Sequence, residues 1–408
     1  MKVYMGIDWS QSKHDLCVLN PAGACLAQLV IAHAQEGFWQ IEELRGQLGV
    51  SHAECTVGIE TTHNLLVDFL WDQGYSPIYL LHPGLVKSSR GRFRQSAARS
   101  DPSDALLLAE ILRTDQGRLL PWQPDQPLTR QIRVKINFVS FLTDNITRLT
   151  NRQRTLLLRY YPVAAELFSL LHSRIAQQFI RAFPSLQAAK ELDLATLQAF
   201  ARQHRYPRTD KLPALLAKLQ QATLQAAPTI TAACQTEAQA LATLLLEMLA
   251  ARKTLQREIR DLFLQHPDHA IYQSLPGTGA FLQPALLAKF GDDRQRLPTA
   301  SRVQALAGTS PVTIRSGKRH SVQFRRACDH QFRHIAQQWA RLSLRSSVWA
   351  NAYYAQVRPR CHSDSHAFRC LANRWLAILW RLWQDRVPYD ESYHLMQRAR
   401  RSQPLEIG

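Results

Sequence analysis

The sequence predicts an α/β domain followed by a longer, mostly all-α region. Three observations lead there. Short apolar segments separated by turn residues fill the first 115 residues or so. Helical apolar spacing takes over from about residue 125, and apolar side chains recur every seven residues between 241 and 262.

The elements follow in order. Val3-Tyr4-Met5-Gly6-Ile7-Asp8 alternates apolar with small or polar residues, as a strand does. Leu16-Cys17-Val18-Leu19 makes a second strand before the turn Asn20-Pro21-Ala22-Gly23, and Ala27-Gln28-Leu29-Val30-Ile31 makes a third. Phe38, Ile41, Leu44 and Leu48 are spaced for one helix face. Cys55-Thr56-Val57-Gly58-Ile59-Glu60 is a fourth strand, and Leu65 to Trp71 a helix stopped by Gly74. Ile78-Tyr79-Leu80-Leu81 is a fifth strand, ended by Pro83. Further on, Leu142, Ile146, Leu149 and Leu156 mark a long helix. Leu241, Met248, Leu255 and Leu262 form a heptad seam, with Leu244, Ala251 and Ile259 near its second apolar position. That seam suits a coiled coil, and equally a core-facing helix within one chain. Pro267 ends it. Leu275-Pro276-Gly277-Thr278-Gly279 leads into an amphipathic helix, and the spacing of Trp375, Trp380 and Trp383 predicts a tryptophan core in the tail. The expected domains are 1–120, 121–268 and 269–408.

Charge narrows the function. Fifty basic residues against thirty-two acidic ones give +18, and forty of the fifty are Arg. The guanidinium fork matches phosphate in bidentate fashion, so nucleic acid is the expected partner. No run of eighteen apolar residues is present, so no membrane span is expected. The start lacks a signal-peptide pattern, and the seven cysteines include no Cys-x-x-Cys pair; both point to a reducing cytoplasm. Cys361, His362, His366 and Cys370 are soft-metal residue types at close spacing, but they match no established zinc spacing.

Four carboxylates stand out. Asp8 ends a strand on the face opposite Val3, Met5 and Ile7, and Glu60 likewise opposes Cys55, Val57 and Ile59. Asp101 and Asp104 share a face if their segment is helical, although Asp101-Pro102-Ser103-Asp104 also reads as a plain helix start with Asp101 as its cap. Converging acids persist where a divalent cation neutralises them, and Mg²⁺ keeps waters that a phosphate can replace. Lys87, Arg90, Arg92, Arg94 and Arg99 crowd the approach to Asp101 and could hold a phosphate backbone. Gly91 and the neighbouring serines predict a flexible segment there. Later, Ser316 precedes Gly317 and is flanked by Arg315, Lys318 and Arg319, cations that could stabilise charge on a phosphate. No Gly-x-x-x-x-Gly-Lys-Ser/Thr loop exists, so no ATP-driven step is expected.

The strand order, Gly6-Ile7-Asp8, Gly58-Ile59-Glu60-Thr61 and Ser100-Asp101-Pro102-Ser103-Asp104-Ala105 resemble the RuvC-type, ribonuclease-H-like domain of the DEDD transposases, those of the insertion-sequence-110 class. Leu275-Pro276-Gly277-Thr278-Gly279, Ala307-Gly308-Thr309-Ser310-Pro311 and Ser316-Gly317-Lys318 resemble the C-terminal transposase domain of the same family. The resemblance runs over nearly the whole chain. It implies a RuvC-like N-terminal domain, a helical coiled-coil middle and a mostly helical C-terminal domain. Asp8, Glu60, Asp101 and Asp104 would then bind Mg²⁺, and Ser316 would be the nucleophile that links covalently to DNA. Ser310 and Ser321 are nearby decoys. The implied partners are donor and target DNA, a guide RNA from the element, and further copies of the chain in a dimer or tetramer. The family often shows Gly-Asn-x-x-Leu-Arg after the serine; Cys328-Asp329-His330-Gln331-Phe332-Arg333 stands here instead, which puts the geometry of that turn in question. Two rival readings remain: a metal-dependent nuclease of the Holliday-junction-resolvase kind, and a non-catalytic nucleic-acid-binding protein.

Overall fold

The structure is a computed structural model and describes residues 1–60, 65–93, 100–317 and 319–402. It divides into two compact units, Met1–Pro124 and Asp125–Gly408.

The first unit is built on a six-stranded mixed sheet. Its elements are β1 (Val3–Trp9), β2 (Lys13–Leu19), β3 (Cys25–Ala32), α1 (Gln35–Gln47), β4 (Cys55–Ile59), α2 (Leu65–Asp72), β5 (Ile78–Leu80), α3 (Pro83–Phe93), α4 (Asp101–Asp115) and β6 (Pro121–Trp122). The strand order is β3-β2-β1-β4-β5-β6. The hairpin strands β1, β2 and β3 pair antiparallel, and β4 and β5 join β1 in parallel. A mixed sheet of this kind agrees with the ribonuclease-H-like expectation.

Period-two alternation sends side chains to two different cores. Val3, Met5 and Ile7 pack with Val57 and Ile59 against Phe38, Ile41, Leu66 and Leu70 of α1 and α2. Tyr4 faces the other way, toward Leu107, Leu108, Ile111 and Leu112 of α4. Glycine lets α4 lie directly on that face. A Cβ on Gly6 would come within 2.1 Å of the Ala105 carbonyl oxygen and 2.4 Å of the Ala109 amide, and one on Gly58 within 2.6 Å of Leu112. The parallel register sets Gly6 beside Gly58 and Ile7 beside Ile59, so Asp8 and Glu60 leave the sheet side by side on the α4 face.

The second unit is helical apart from one hairpin. It runs through α5 (Pro127–Tyr160), α6 (Pro162–Glu166), α7 (Arg174–Ala182), α8 (Leu186–Lys190), α9 (Leu194–Gln203), α10 (Leu212–Gln221) and α11 (Pro228–Leu264). It continues with α12 (His269–Gln273), α13 (Gly279–Phe290), α14 (Ala300–Leu306), β7 (Val312–Ser316), β8 (Arg319–Gln323), α15 (His330–Ser343), α16 (Val348–Val357), α17 (Asp364–Asp385) and α18 (Glu391–Ser402). The hairpin was not foreshadowed by the helical reading of this region.

Helix α11 packs on α5 through its two ends, while Leu244 and Ala251 of the heptad seam are exposed. Lys135 pairs with Glu258 and Arg152 with Glu237, so α5 and α11 run antiparallel. One end of the pair contributes Ile132, Ile136, Ile259 and Phe263 to a core shared with α13, α15 and α17. The other contributes Leu156, Leu157, Ala238 and Leu241 to a second core with α7 and α9. Trp375 and Trp383 are fully buried, and the Trp380 indole donates to the Leu297 carbonyl at 2.8 Å. The tryptophan spacing is therefore core spacing.

Gly6→Ala is expected to destabilise the first unit by about 1–3 kcal/mol, because backbone atoms of α4 cannot yield as a side chain can. Gly46→Ala, where a Cβ meets nothing within 4 Å in a helix, is expected to be neutral or stabilising by up to about 1 kcal/mol. Denaturant unfolding of the two variants checks this; equal effects of the two changes would refute the close α4–sheet seating.

Candidate active site

The acids of the first unit gather where β1, β4 and the start of α4 meet. Asp8 is pushed up from its ordinary 3.8 to about 6, first by burial and then by the charges of Asp104, Glu60, Asp101 and Asp15. Glu60 is also raised, by burial and by Asp104, against the opposing pull of Arg90 and His82. Of the four acids read from the sequence, Glu60, Asp101 and Asp104 thus all act on Asp8.

Ser100, not Asp101, caps α4. Its extended backbone precedes the helix, and its amide donates to the Ser103 hydroxyl at 3.0 Å. Asp101 opens the helix and Pro102 follows it. Asp101 and Asp104 therefore stand one turn apart on one face, where the positive end of the helix dipole favours negative charge.

Each of these helical acids already faces a cation. Both carboxylate oxygens of Asp104 accept from the Arg90 guanidinium, at 2.8 and 2.9 Å. Lys13 reaches Asp101 at 3.1 Å and Asp15 at 3.6 Å. Among the described residues, no three ligand atoms of the acidic group come within 4.8 Å of one another. The acids share a face without closing on a common point. A cluster of carboxylate oxygens in which burial and then the neighbouring charges raise Asp8 to about 6 is a hard-oxygen donor set, and it suits a divalent cation.

The structure adds a fifth acid that sequence reasoning missed. Asp15 lies directly opposite Asp8 in the β1–β2 register and is 3% exposed. Among the described residues, its Oδ1 has no hydrogen-bond partner. The available signal was a charged residue inside an apolar strand, in antiparallel pairing with Asp8.

The basic approach is less loop-like than its composition predicts. Residues 83–93 are helical, and the rest of the stretch in which Gly91 and its serines predict flexibility, 94–99, lies outside the described residues. Lys87 is exposed on α3, Arg90 binds Asp104, and Arg92 pairs with Asp115 while lying over the Phe93 ring at 5.1 Å. Arg94 and Arg99 lie outside the described residues.

In the second unit, Ser316 is the last residue of β7. It pairs with Arg319 across a tight turn in which Gly317 takes φ +54°. Glycine is the residue that reaches this left-handed region at no steric cost. Ser316 is exposed, as are Thr313, Ile314 and Arg315 along the same strand. Lys318 lies outside the described residues, and so does the Arg319 side chain. Ser321 sits on β8 opposite Ile314 and accepts from Gln323, while the Ser310 carbonyl accepts from Arg325 at 3.2 Å. The base of the hairpin is pinned by Phe324, whose ring lies between the Arg333 and Arg369 guanidiniums at 4.4 and 4.6 Å. The turn that departs from the family pattern has a defined job. Asp329 caps α15 by accepting from the Phe332 amide at 2.8 Å and pairs with Lys289 at 2.8 Å.

Comparison with known proteins matches these two regions separately. Residues 5–162 match the DEDD transposase family of IS110 elements, and residues 269–355 match the transposase family of IS116, IS110 and IS902. The mini-circle transposase for IS117 of Streptomyces coelicolor is 32% identical over 400 residues, which is 96% of each chain. The chain belongs to the IS110 transposase family. The insertion element IS110 protein of Streptomyces coelicolor is 23% identical over 400 residues, 95% of each chain. The insertion element IS116 protein of Streptomyces clavuligerus is 24% identical over 404 residues, 98% of each chain. In this IS110-family transposase, a DNA-recombining enzyme, the first match contains Asp8, Glu60, Asp101 and Asp104, and the second contains Ser316.

A carboxyl whose folded pKa is raised loses stability as pH climbs from its ordinary value through the raised one. For Asp8 that window runs from 3.8 to about 6. The gap is worth up to about 3 kcal/mol in a dry site, and roughly 1 kcal/mol once screening at a half-buried position is allowed for. Asp8→Asn is therefore expected to be more stable than wild type at pH 7.5 by roughly 1 kcal/mol, with the gap closing toward pH 4. Thermal denaturation across pH checks the sign. A variant less stable than wild type at pH 7.5 would show that Asp8 carries no strain.

Proposed function

We propose that this transposase cuts and exchanges DNA strands through a covalent phosphoserine at Ser316, with Asp8, Glu60, Asp101 and Asp104 as ligands of Mg²⁺. The observation that carries the reading is the raised Asp8 carboxyl beside Glu60, Asp101 and Asp104, in a chain whose other family-matched segment presents an exposed serine at a basic hairpin turn. Mg²⁺, when bound, supplies charge stabilisation at the phosphate oxygens.

The protein groups then divide the work. At neutral pH Asp8 is mostly ionised, as a ligand must be. Arg90 and Lys13 neutralise Asp104 and Asp101 and are placed to move to phosphate oxygens when the acids take a metal. Lys87, Arg92, Arg94 and Arg99 would follow the strand backbone, and Arg315, Lys318 and Arg319 would hold the scissile phosphate beside the serine. The Ser316 hydroxyl oxygen bonds to phosphorus, its proton leaves, and the strand's ester oxygen departs as a free hydroxyl. A free hydroxyl of another strand then attacks the phosphoserine, restoring Ser316. One phosphodiester is broken and one made, so no nucleotide is consumed.

The same reading includes donor and target DNA, a guide RNA from the element, a dimer or tetramer of the chain, and a cytoplasmic setting. A net charge of +18 suits an assembly of RNA and DNA. Val134, Phe138 and Phe141 form an exposed apolar stripe along α5, which supports self-association through the helical region 121–268 acting as a coiled-coil middle. No described helix is long and apolar enough to cross a membrane.

Incubating the protein with Mg²⁺, the element's RNA and end-labelled DNA tests the chemistry. Wild type is expected to yield a protein–DNA adduct resistant to denaturant, and Ser316→Ala and Asp8→Asn at least about 100-fold less. DNA cleavage undiminished in Ser316→Ala would support hydrolysis by a resolvase-like nuclease instead. Strand exchange undiminished in Asp8→Asn would remove the acids from the reaction.

A further inference from the structure

Cys361, His366 and Cys370 bring their ligand atoms within 4.8 Å of one another, and among the described residues no other such trio exists. We propose that they bind a structural Zn²⁺, with His362 as the fourth ligand.

The chemistry fits the metal. Two thiols and two imidazoles are the soft and borderline donors that select zinc over the hard cations suited to carboxylates. In a tetrahedral zinc site, ligand atoms sit about 3.3–3.8 Å apart, so any contraction the trio needs is at most about 1.5 Å, within reach of side-chain rotation. The His362 ring lies 6.2 Å from that of His366, inclined to it by 21°, and is exposed.

The backbone under the ligands is already organised. His366 and Cys370 are four residues apart on α17 and share a face. Ser363 caps that helix by accepting from the His366 amide at 3.2 Å. Cys361 ends the short turn Arg358–Arg360, its amide donating to the Arg358 carbonyl at 3.1 Å and its own carbonyl accepting from the Arg358 guanidinium at 3.2 Å. A metal here staples that turn to α17. Arg369, beside Cys370, stacks on Phe324 immediately after β8, so the staple also steadies the base of the serine hairpin.

The site belongs to the second unit, the carboxylates to the first, and it is testable without activity. The full chain is purified under reducing conditions without chelator, and its zinc is measured by mass spectrometry. Wild type and Asp8→Asn are expected to carry about one zinc per chain, and Cys370→Ser and His366→Ala at least roughly tenfold less. Circular dichroism checks that the variants are folded. Cobalt exchange into wild type gives a reading that needs no variant: a thiolate charge-transfer band with tetrahedral ligand-field absorption is expected. The proposal is overturned by wild type that takes up no zinc after reconstitution, by an octahedral cobalt spectrum without the thiolate band, by full zinc in folded Cys370→Ser, or by a Cys361–Cys370 disulfide in the freshly purified protein.

Discussion

The rest of the first unit depends on one contact, the seating of α4 directly on the glycines of β1 and β4. Without side chains at Gly6 and Gly58, the helix backbone comes down to the sheet, and its first turn then hangs over the strand ends. That places Asp104 within the field of Asp8 and Glu60, and Asp101 within that of Asp8. The cost is electrostatic. Like unit charges about 5 Å apart repel by roughly 3 kcal/mol at an effective dielectric of about 20. Burial of Leu107, Leu108, Ile111 and Leu112 opposes it at about 1.5–3 kcal/mol for each side chain. Packing wins, so the protein can hold its acids close before any metal arrives, with Arg90 and Lys13 covering two of them.

The second unit solves the opposite problem, which is to expose a residue while fixing it. Ser316 stands at a hairpin turn in solvent, where a strand could reach it. The hairpin is only two strands wide and could not hold itself rigid alone. Its rigidity comes from its root: Phe324 between two guanidiniums, Arg325 on the Ser310 carbonyl, and the Asp329 cap of α15 just beyond. Cys328-Asp329 departs from the family's usual residues and still makes a defined helix start.

Much of this was legible in the sequence because it followed from periodicity. Asp8 and Glu60 could be placed at strand ends by alternation alone, and Trp375 and Trp383 at core positions by helical spacing. Other features could not be read because they depend on a partner. A heptad seam gives the face of α11 but not whether α5 or a second chain covers it. Asp15 reads as one polar residue in an apolar strand until the β1–β2 register sets it opposite Asp8. Composition does not show that residues 83–93 form a helix with Val86 and Ser89 buried, since that burial depends on what the helix packs against. Ser100 takes the cap that Asp101 could equally have filled, since both side chains suit that position. The hairpin around Ser316 was hidden because its strands are almost wholly exposed and lack the buried alternation that marks a strand.

The central claim is that the acids beneath α4 form one metal site. Crystals of the protein soaked in Mn²⁺, with anomalous scattering recorded at the manganese edge, test it most directly. The account predicts a manganese peak among Asp8, Glu60, Asp101 and Asp104, with the Arg90 guanidinium displaced from Asp104. An intact Arg90–Asp104 pair with no manganese among these carboxylates would contradict it.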